Sequence, residues 1–125
     1  MQSERINNID IAYRRAGQGA PVLLLHPIGL DSSWWQPFAE QLAPRFSTVS
    51  MDFRGHGGSA AVRGELELTD LADDAAGLLR ALGLAPAQVV GLSMGGMVAQ
   101  YLAIRHPDVV RSLVLLGTAC TLPDE

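Results

Sequence analysis

The sequence predicts an α/β fold: a mostly parallel sheet with helices on both faces. Three observations predict it. Short strand patterns at 21–26, 46–52, 87–92 and 111–117 alternate with helical patterns, and a repeated β-α alternation builds a parallel sheet. Loops rich in Gly or Pro follow three of those runs, at Pro27, Arg54 and Ser93, at the strand ends where such sheets carry their sites. Third, Gly91-Leu92-Ser93-Met94-Gly95 is a G-x-S-x-G pentapeptide between a strand pattern and a helix pattern, the context of a serine held on a tight strand-to-helix turn.

Each element has its own justification. Arg5 to Arg15 alternates around Ile6, Ile9, Ile11 and Tyr13, and Asn7-Asn8 is a turn candidate between two short strands. PVLLLH, 21–26, is an unbroken apolar run and reads as a central strand buried on both faces. Asp31-Ser32-Ser33 supplies N-cap candidates, and Ser33 with Gln36 has capping-box spacing. Trp34, Phe38 and Leu42 then fall at i, i+4, i+8, the expected inward face of a short helix ended by Pro44; the alternative is that Trp34 or Trp35 lines a pocket near the end of the first central strand.

FSTVSMD, 46–52, is the next strand, followed by the Gly-rich loop FRGHGGS. Leu68, Leu71, Ala72, Ala75, Leu78, Leu79 and Leu82 keep a helical period, with Thr69 as the candidate cap and Gly83 as the stop. Asp70, Asp73, Asp74 and Arg80 are expected to form the solvated face of that helix. Gly95–Ile104 is the helix after the serine, stopping at His106 ahead of Pro107, and RSLVLLGT is a last buried strand.

At 125 residues, 48% of them hydrophobic, the chain can bury one core. A net charge of -4 argues against a nucleic-acid or anionic-membrane partner, so a small neutral or apolar substrate is expected. Cys120 is the single cysteine, which excludes an intrachain disulfide and a Cys/His zinc pattern. The start, MQSERINNID, lacks the basic end and apolar core of an export signal, so a cytoplasmic location is expected. Leu84–Ile104 carries no charge, but Pro86, Gln88, Gly91, Ser93, Gly95, Gly96 and Gln100 interrupt it too often for a bilayer span.

The elbow accounts for its own residue types. A serine in a strained turn needs neighbours without side chains two positions away on either side, which Gly91 and Gly95 supply. The following N–H, that of Met94, opens a helix and points where negative charge gathers on a tetrahedral intermediate. The bland alternative is a chance G-x-S-x-G in a glycine-rich loop. No Gly-Lys-Ser/Thr is present for a phosphate-binding loop, and G-x-G-x-x-G would require Gly where Ser93 stands. His56 invites a catalytic reading, but nothing in its spacing ties it to Ser93, and a structural role is favoured. Asp52 and Arg54 are expected to hydrogen-bond the loop.

Three motifs, HPIG after the first central strand, DFRGHGGS after the second and GLSMGG at the elbow, give the chain its resemblance to the α/β-hydrolase superfamily, over nearly its whole length. It is similar to the esterase, enol-lactonase and cofactor-free haloperoxidase group, with the 3-oxoadipate enol-lactonases nearest. The resemblance implies Ser93 as nucleophile, the N–H groups of Met94 and Ile28 as oxyanion hole, and neither cofactor nor metal. It makes His26 a loop-organising residue outside the triad. Many relatives have His-Gly where this chain has His26-Pro27; Pro27 has no N–H, but the donor falls on the next residue.

In this family the triad acid and histidine follow later strands, and the resemblance here stops after the strand at 111–117. Residues 1–125 thus read as the N-terminal part of a single hydrolase domain, truncated after the strand that follows the nucleophile helix. Asp124 or Glu125 is a conceivable acid. A bare strand at 111–117 is expected to seek cover from a second copy or a complementing chain. The expected function is a serine hydrolase of a carboxylic ester or lactone; the alternatives are a non-catalytic binding or assembly module and a cofactor-free perhydrolase or haloperoxidase.

Overall fold

The computed structural model describes residues 1–61 and 64–118; Cys120, Asp124 and Glu125 lie outside them. Alternating apolar residues form an N-terminal hairpin, β1 (Gln2–Ile6) and β2 (Ile9–Ala16). Its turn places both Asn7 and Asn8 at positive φ, which asparagine tolerates better than most residues. Four further strands follow: β3 (Ala20–Leu25), β4 (Phe46–Met51), β5 (Ala87–Leu92) and β6 (Val110–Leu116). The sheet order is β1-β2-β4-β3-β5-β6. β3 to β6 pair in parallel and the hairpin joins β4 antiparallel.

This order makes the expected α/β architecture and fixes where a site can lie. From β3 the chain steps outward to β4 and then crosses back to β5 on the other side of β3. The loops leaving β3 and β5 therefore diverge, opening a crevice at the carboxyl ends of those strands. Alternate residues of β3 face opposite ways. Leu23 and Leu25 join the larger core with α2 (Leu68–Ala81) and α3 (Met94–Arg105), while Val22 and Leu24 pack with Trp35 and Ala39 on the other face.

The segment after β3 departs from its sequence expectation. Asp31 does cap it, accepting from Ser33 N–H, but a 3₁₀ turn at Ser32–Trp35 precedes α1 (Gln36–Leu42). A 3₁₀ turn takes three residues rather than 3.6, which shifts the phase of the inward face. Trp35 is 2% exposed and Ala39 is buried, whereas Trp34 and Phe38 are 45% and 42% exposed. Trp34 instead stacks edge-on against Trp35, at 5.0 Å between ring centroids.

α2 carries two further corrections. Its N-cap position is Glu67, which makes no side-chain capping bond, and Thr69 lies inside the helix. Gly83 ends it as expected, at φ 68, with Gly83 N–H bonded to Arg80 C=O and Leu84 N–H to Leu79 C=O, the pairing of a Schellman stop. Asp74 is fully buried rather than solvated. It accepts from Arg54 Nε at 2.6 Å, Arg54 Nη2 at 2.8 Å and Asn7 Nδ2 at 3.0 Å, joining the hairpin turn, the Gly-rich loop and α2. Asp73, by contrast, pairs with Arg105 and His106 at a half-exposed position.

These two carboxylates separate buried from surface ion pairing. Losing one partner of a buried pair strands the other charge and costs about 3–5 kcal/mol, whereas a surface pair is worth about 0–1 kcal/mol. Asp74→Ala should lower the unfolding free energy in urea by the larger amount and Asp73→Ala by the smaller. Equal losses would remove the special standing of the Arg54–Asp74 pair.

Candidate active site

Ser93 stands between β5 and α3 with φ 53 and ψ -116, a combination that costs a non-glycine residue of order 1–3 kcal/mol. The surroundings over-determine it. Its N–H donates to Leu116 C=O at 2.9 Å, and its own C=O accepts from Gly96 N–H at 3.0 Å and Met97 N–H at 3.2 Å. The three nearby glycines allow the backbones to close in. A Cβ on Gly91 would overlap the Gly95 carbonyl, one on Gly95 would strike the carbonyl oxygens of Leu25 and His26, and one on Gly96 would lie 2.7 Å from the Thr118 side chain. The result is an exposed serine at the start of a helix whose first N–H, on Met94, has no carbonyl a turn earlier to bond.

The loop after β3 is set against this turn. His26 is fully buried and makes two hydrogen bonds. Its Nε2 lies 3.1 Å from Phe53 N and its Nδ1 2.7 Å from Pro27 O. An amide N–H can only donate and a carbonyl can only accept, so Nε2 is the acceptor, Nδ1 carries the proton and the ring is neutral. Burial, the largest influence, pushes its pKa below the ordinary 6.5. Pro27 C=O also accepts from Leu30 N–H at 3.4 Å, closing a turn with Gly29 at φ 77. Ile28, at 69% exposure, lies on the open side.

The Gly-rich loop is a brace for these parts. Asp52, fully buried, accepts from Ser32 N–H at 2.6 Å and Gly58 N–H at 2.9 Å, and its C=O accepts from Ser59 Oγ at 2.6 Å. His56 Nδ1 lies 3.2 Å from Arg54 O, and its ring sits 5.1 Å from that of His26. Asp52 therefore holds the loop as expected. Arg54 reaches past the loop to α2.

Of the site residues named from the sequence, Ser93 and Met94 lie at the turn between β5 and α3, and Ile28 lies on the loop that follows β3, whose first carbonyls, those of Leu25 and His26, lie against Gly95. The histidines do not join them. His26 and His56 are engaged as described, and His106 Nε2 bonds Asp73 Oδ1 at 2.7 Å at the far end of α3. Among the described residues, no side chain hydrogen-bonds Ser93 Oγ and no group of three His, Cys, Asp or Glu could hold a metal ion. A groove of about 400 Å³ beside α2 is lined by Arg54, Asp73, Arg80 and His106 among others; Arg54 is paired with Asp74, Arg80 with Asp108, and Asp73 with Arg105 and His106. Sequence reasoning did not find the link from Phe53 N–H to His26, because a main-chain donor leaves no residue-type signal.

Two measurements test this geometry. Ser93→Gly relieves the positive φ and should raise the unfolding free energy by roughly 1 kcal/mol, the gain offset in part by the greater freedom of unfolded glycine. His26 titrates less readily folded than unfolded, so its stabilisation is complete above about pH 6.5 and declines as pH falls and the unfolded chain takes up the proton. His56, Asp52 and Asp31 are the charged or titratable neighbours acting on it. The stability difference between wild type and His26→Gln should therefore narrow between pH 8 and pH 5.

Comparison with known proteins agrees with the geometry. The sequence profile of the alpha/beta hydrolase fold matches residues 20–125. The chain is 48% identical over 103 residues to a pimeloyl-[acyl-carrier protein] methyl ester esterase of Chromobacterium violaceum, covering 82% of this chain and 39% of that one. A thermophilic esterase from Thermogutta terrifontis superposes with a TM-score of 0.94 at 35% identity, over 100% of this chain and 48% of the other. The enol-lactonase from Burkholderia xenovorans LB400 gives 0.90 at 34% identity, over 94% and 47%. The chain spans about two-fifths of the length of the curated relatives it matches. With the elbow, the sheet order and the profile in agreement, the chain belongs to the α/β-hydrolase family.

Proposed function

We propose that this chain carries the nucleophile and oxyanion hole of a serine hydrolase acting on a carboxylic ester or lactone, as the N-terminal part of a single hydrolase domain. The observation that carries the reading is the strained, exposed Ser93 at φ 53, held between Gly91 and Gly95 at the crevice where the sheet order reverses. Strain of this kind persists only where the surroundings enforce it.

In this reading Ser93 Oγ attacks the substrate carbonyl carbon as its proton passes to a general base. The carbonyl oxygen becomes an oxyanion facing the N–H groups of Met94 and Ile28. Collapse expels the alkoxide, which takes the proton from the base, and water then releases the acid from the acyl-serine by the same steps in reverse roles. A serine without a base keeps its proton at neutral pH. All three histidines of the chain, His26, His56 and His106, have other partners, so this reading takes the base from other polypeptide packed on β6. Val114, Leu115 and Leu116 are exposed there, and an open apolar edge is a template for a further strand, from a complementing segment or a second copy.

The same absence of a bonded histidine favours a second reading, a binding or assembly module that keeps the pocket without turnover. A fluorophosphonate probe separates the two. The hydrolase reading expects a one-probe mass increase that disappears in Ser93→Ala, with the labelled species identified by size-exclusion chromatography. Labelling that survives in Ser93→Ala would overturn Ser93 as nucleophile, and a folded, monodisperse protein that takes no label would sink self-sufficient hydrolysis by this chain and its copies.

A further inference from the structure

Two recesses lined by arginine differ in how their charges are matched. In the groove beside α2, Arg54, Arg80 and Arg105 each pair with a carboxylate, at 2.6, 3.1 and 2.9 Å. A second recess, of about 290 Å³, lies at the N-terminal hairpin and is lined by Met1, Gln2, Tyr13, Arg14, Arg15 and Gln36. Two guanidiniums and two carboxamides line it and no carboxylate does. Among the described residues neither Arg14 nor Arg15 forms an ion pair. In a chain of net charge -4, two adjacent positive charges are thus left without a bound counter-charge.

The sheet topology opens this recess. β1 starts at Gln2, opposite Tyr13, whereas β2 continues to Ala16 along β4, so the outer edge of β2 beyond Tyr13 has no strand beside it. Successive side chains leave a strand on opposite faces, and Arg14 and Arg15 therefore flank that edge from its two sides. Arg14 is tethered: its Nε donates to Ser32 Oγ at 3.2 Å, and Ser32 N–H is held by Asp52 at 2.6 Å. The tether spends Nε and leaves both Nη groups as donors, with less side-chain freedom to lose on binding. Asp31 is the acid acting on Arg14 at a distance, but its Oδ1 accepts from Ser33 N–H and Ser33 Oγ. Arg15 is exposed.

We propose that this recess binds an oxyanion group, a phosphate or carboxylate carried by a small molecule, with Arg14 and Arg15 as its charged donors and Gln2 and Gln36 as its neutral ones. Guanidinium groups suit such a ligand because their N–H donors match the spacing of its oxygens. β4 and β3 stand between β2 and β5, three strand spacings or about 14 Å of sheet, so the recess is separate from the turn at Ser93 and the proposal does not depend on the hydrolase reading.

The test is NMR on the ¹⁵N-labelled full chain, titrated at constant ionic strength with inorganic phosphate and, separately, with malonate. Saturable shifts should appear at the amides of Gln2, Arg14, Arg15 and Gln36. Arg15→Gln should weaken binding at least about tenfold, the loss of one charge-assisted hydrogen bond. Arg14→Gln should do the same, but it also frees Ser32, so Arg15→Gln is the deciding variant. Arg45→Gln removes an exposed arginine outside the recess and should leave the affinity unchanged. Saturation by phosphate alone would assign the recess to phosphate groups, and saturation by malonate alone to carboxylates. Shifts that fail to saturate with either anion, that centre on Ser93 and Gly95 instead, or that weaken equally in Arg45→Gln would overturn the site.

Discussion

The close approach of α3 to the end of β3 is the constraint on which the rest of the structure depends. A helix that starts one residue after a serine at positive φ, and that touches the Leu25 and His26 carbonyls, must have glycine at 95. The same contact presses the two loops of the crevice together and forces the chain leaving β3 into a turn at once. His26 is buried by that turn, so its ring has to find partners within the protein, and it finds them on Phe53 and Pro27. Backbone proximity comes first here, and the polar network is its consequence.

The Gly-rich loop after β4 plays a supporting part that its composition disguises. Gly55 and Gly57 adopt positive φ and let the loop fold back, so that Asp52 can bind the main chain on both sides of it. Arg54 fastens the other flank to a carboxylate on α2 that has no access to water. The loop thus behaves as a bracket between the hairpin, α2 and the crevice. Burying the Asp74 charge is tolerable because three N–H groups surround it.

Much of this was legible in the sequence, for identifiable reasons. The strand at 20–25 was readable because a parallel sheet buried on both faces leaves near-continuous apolar runs. Gly83 was readable as a helix stop because few residues adopt its φ. The strand-to-helix turn at Ser93 was legible because such an elbow requires particular residue types at fixed offsets. Asp74 was not, since a helix face tells charged from apolar but not solvated charge from charge met by an arginine twenty residues upstream. The inward face of α1 was misread at Trp34 and Phe38 because a 3₁₀ turn leaves little trace in composition while rotating everything that follows it. His26 could be assigned to the loop but not to a tautomer, which depends on a main-chain donor from the loop after β4.

One property of the crevice reaches beyond its geometry. Both groups proposed to meet the oxyanion belong to the main chain, so no side-chain truncation deletes them. An alanine scan across this region would find glycines that cannot change and a histidine that can, and would miss the charge-stabilising atoms altogether. Only chemistry that edits the backbone, such as an ester in place of an amide or a proline in place of Ile28, addresses them directly. In that reading the main chain of position 28 carries the role, and its exposed side chain has no part in it.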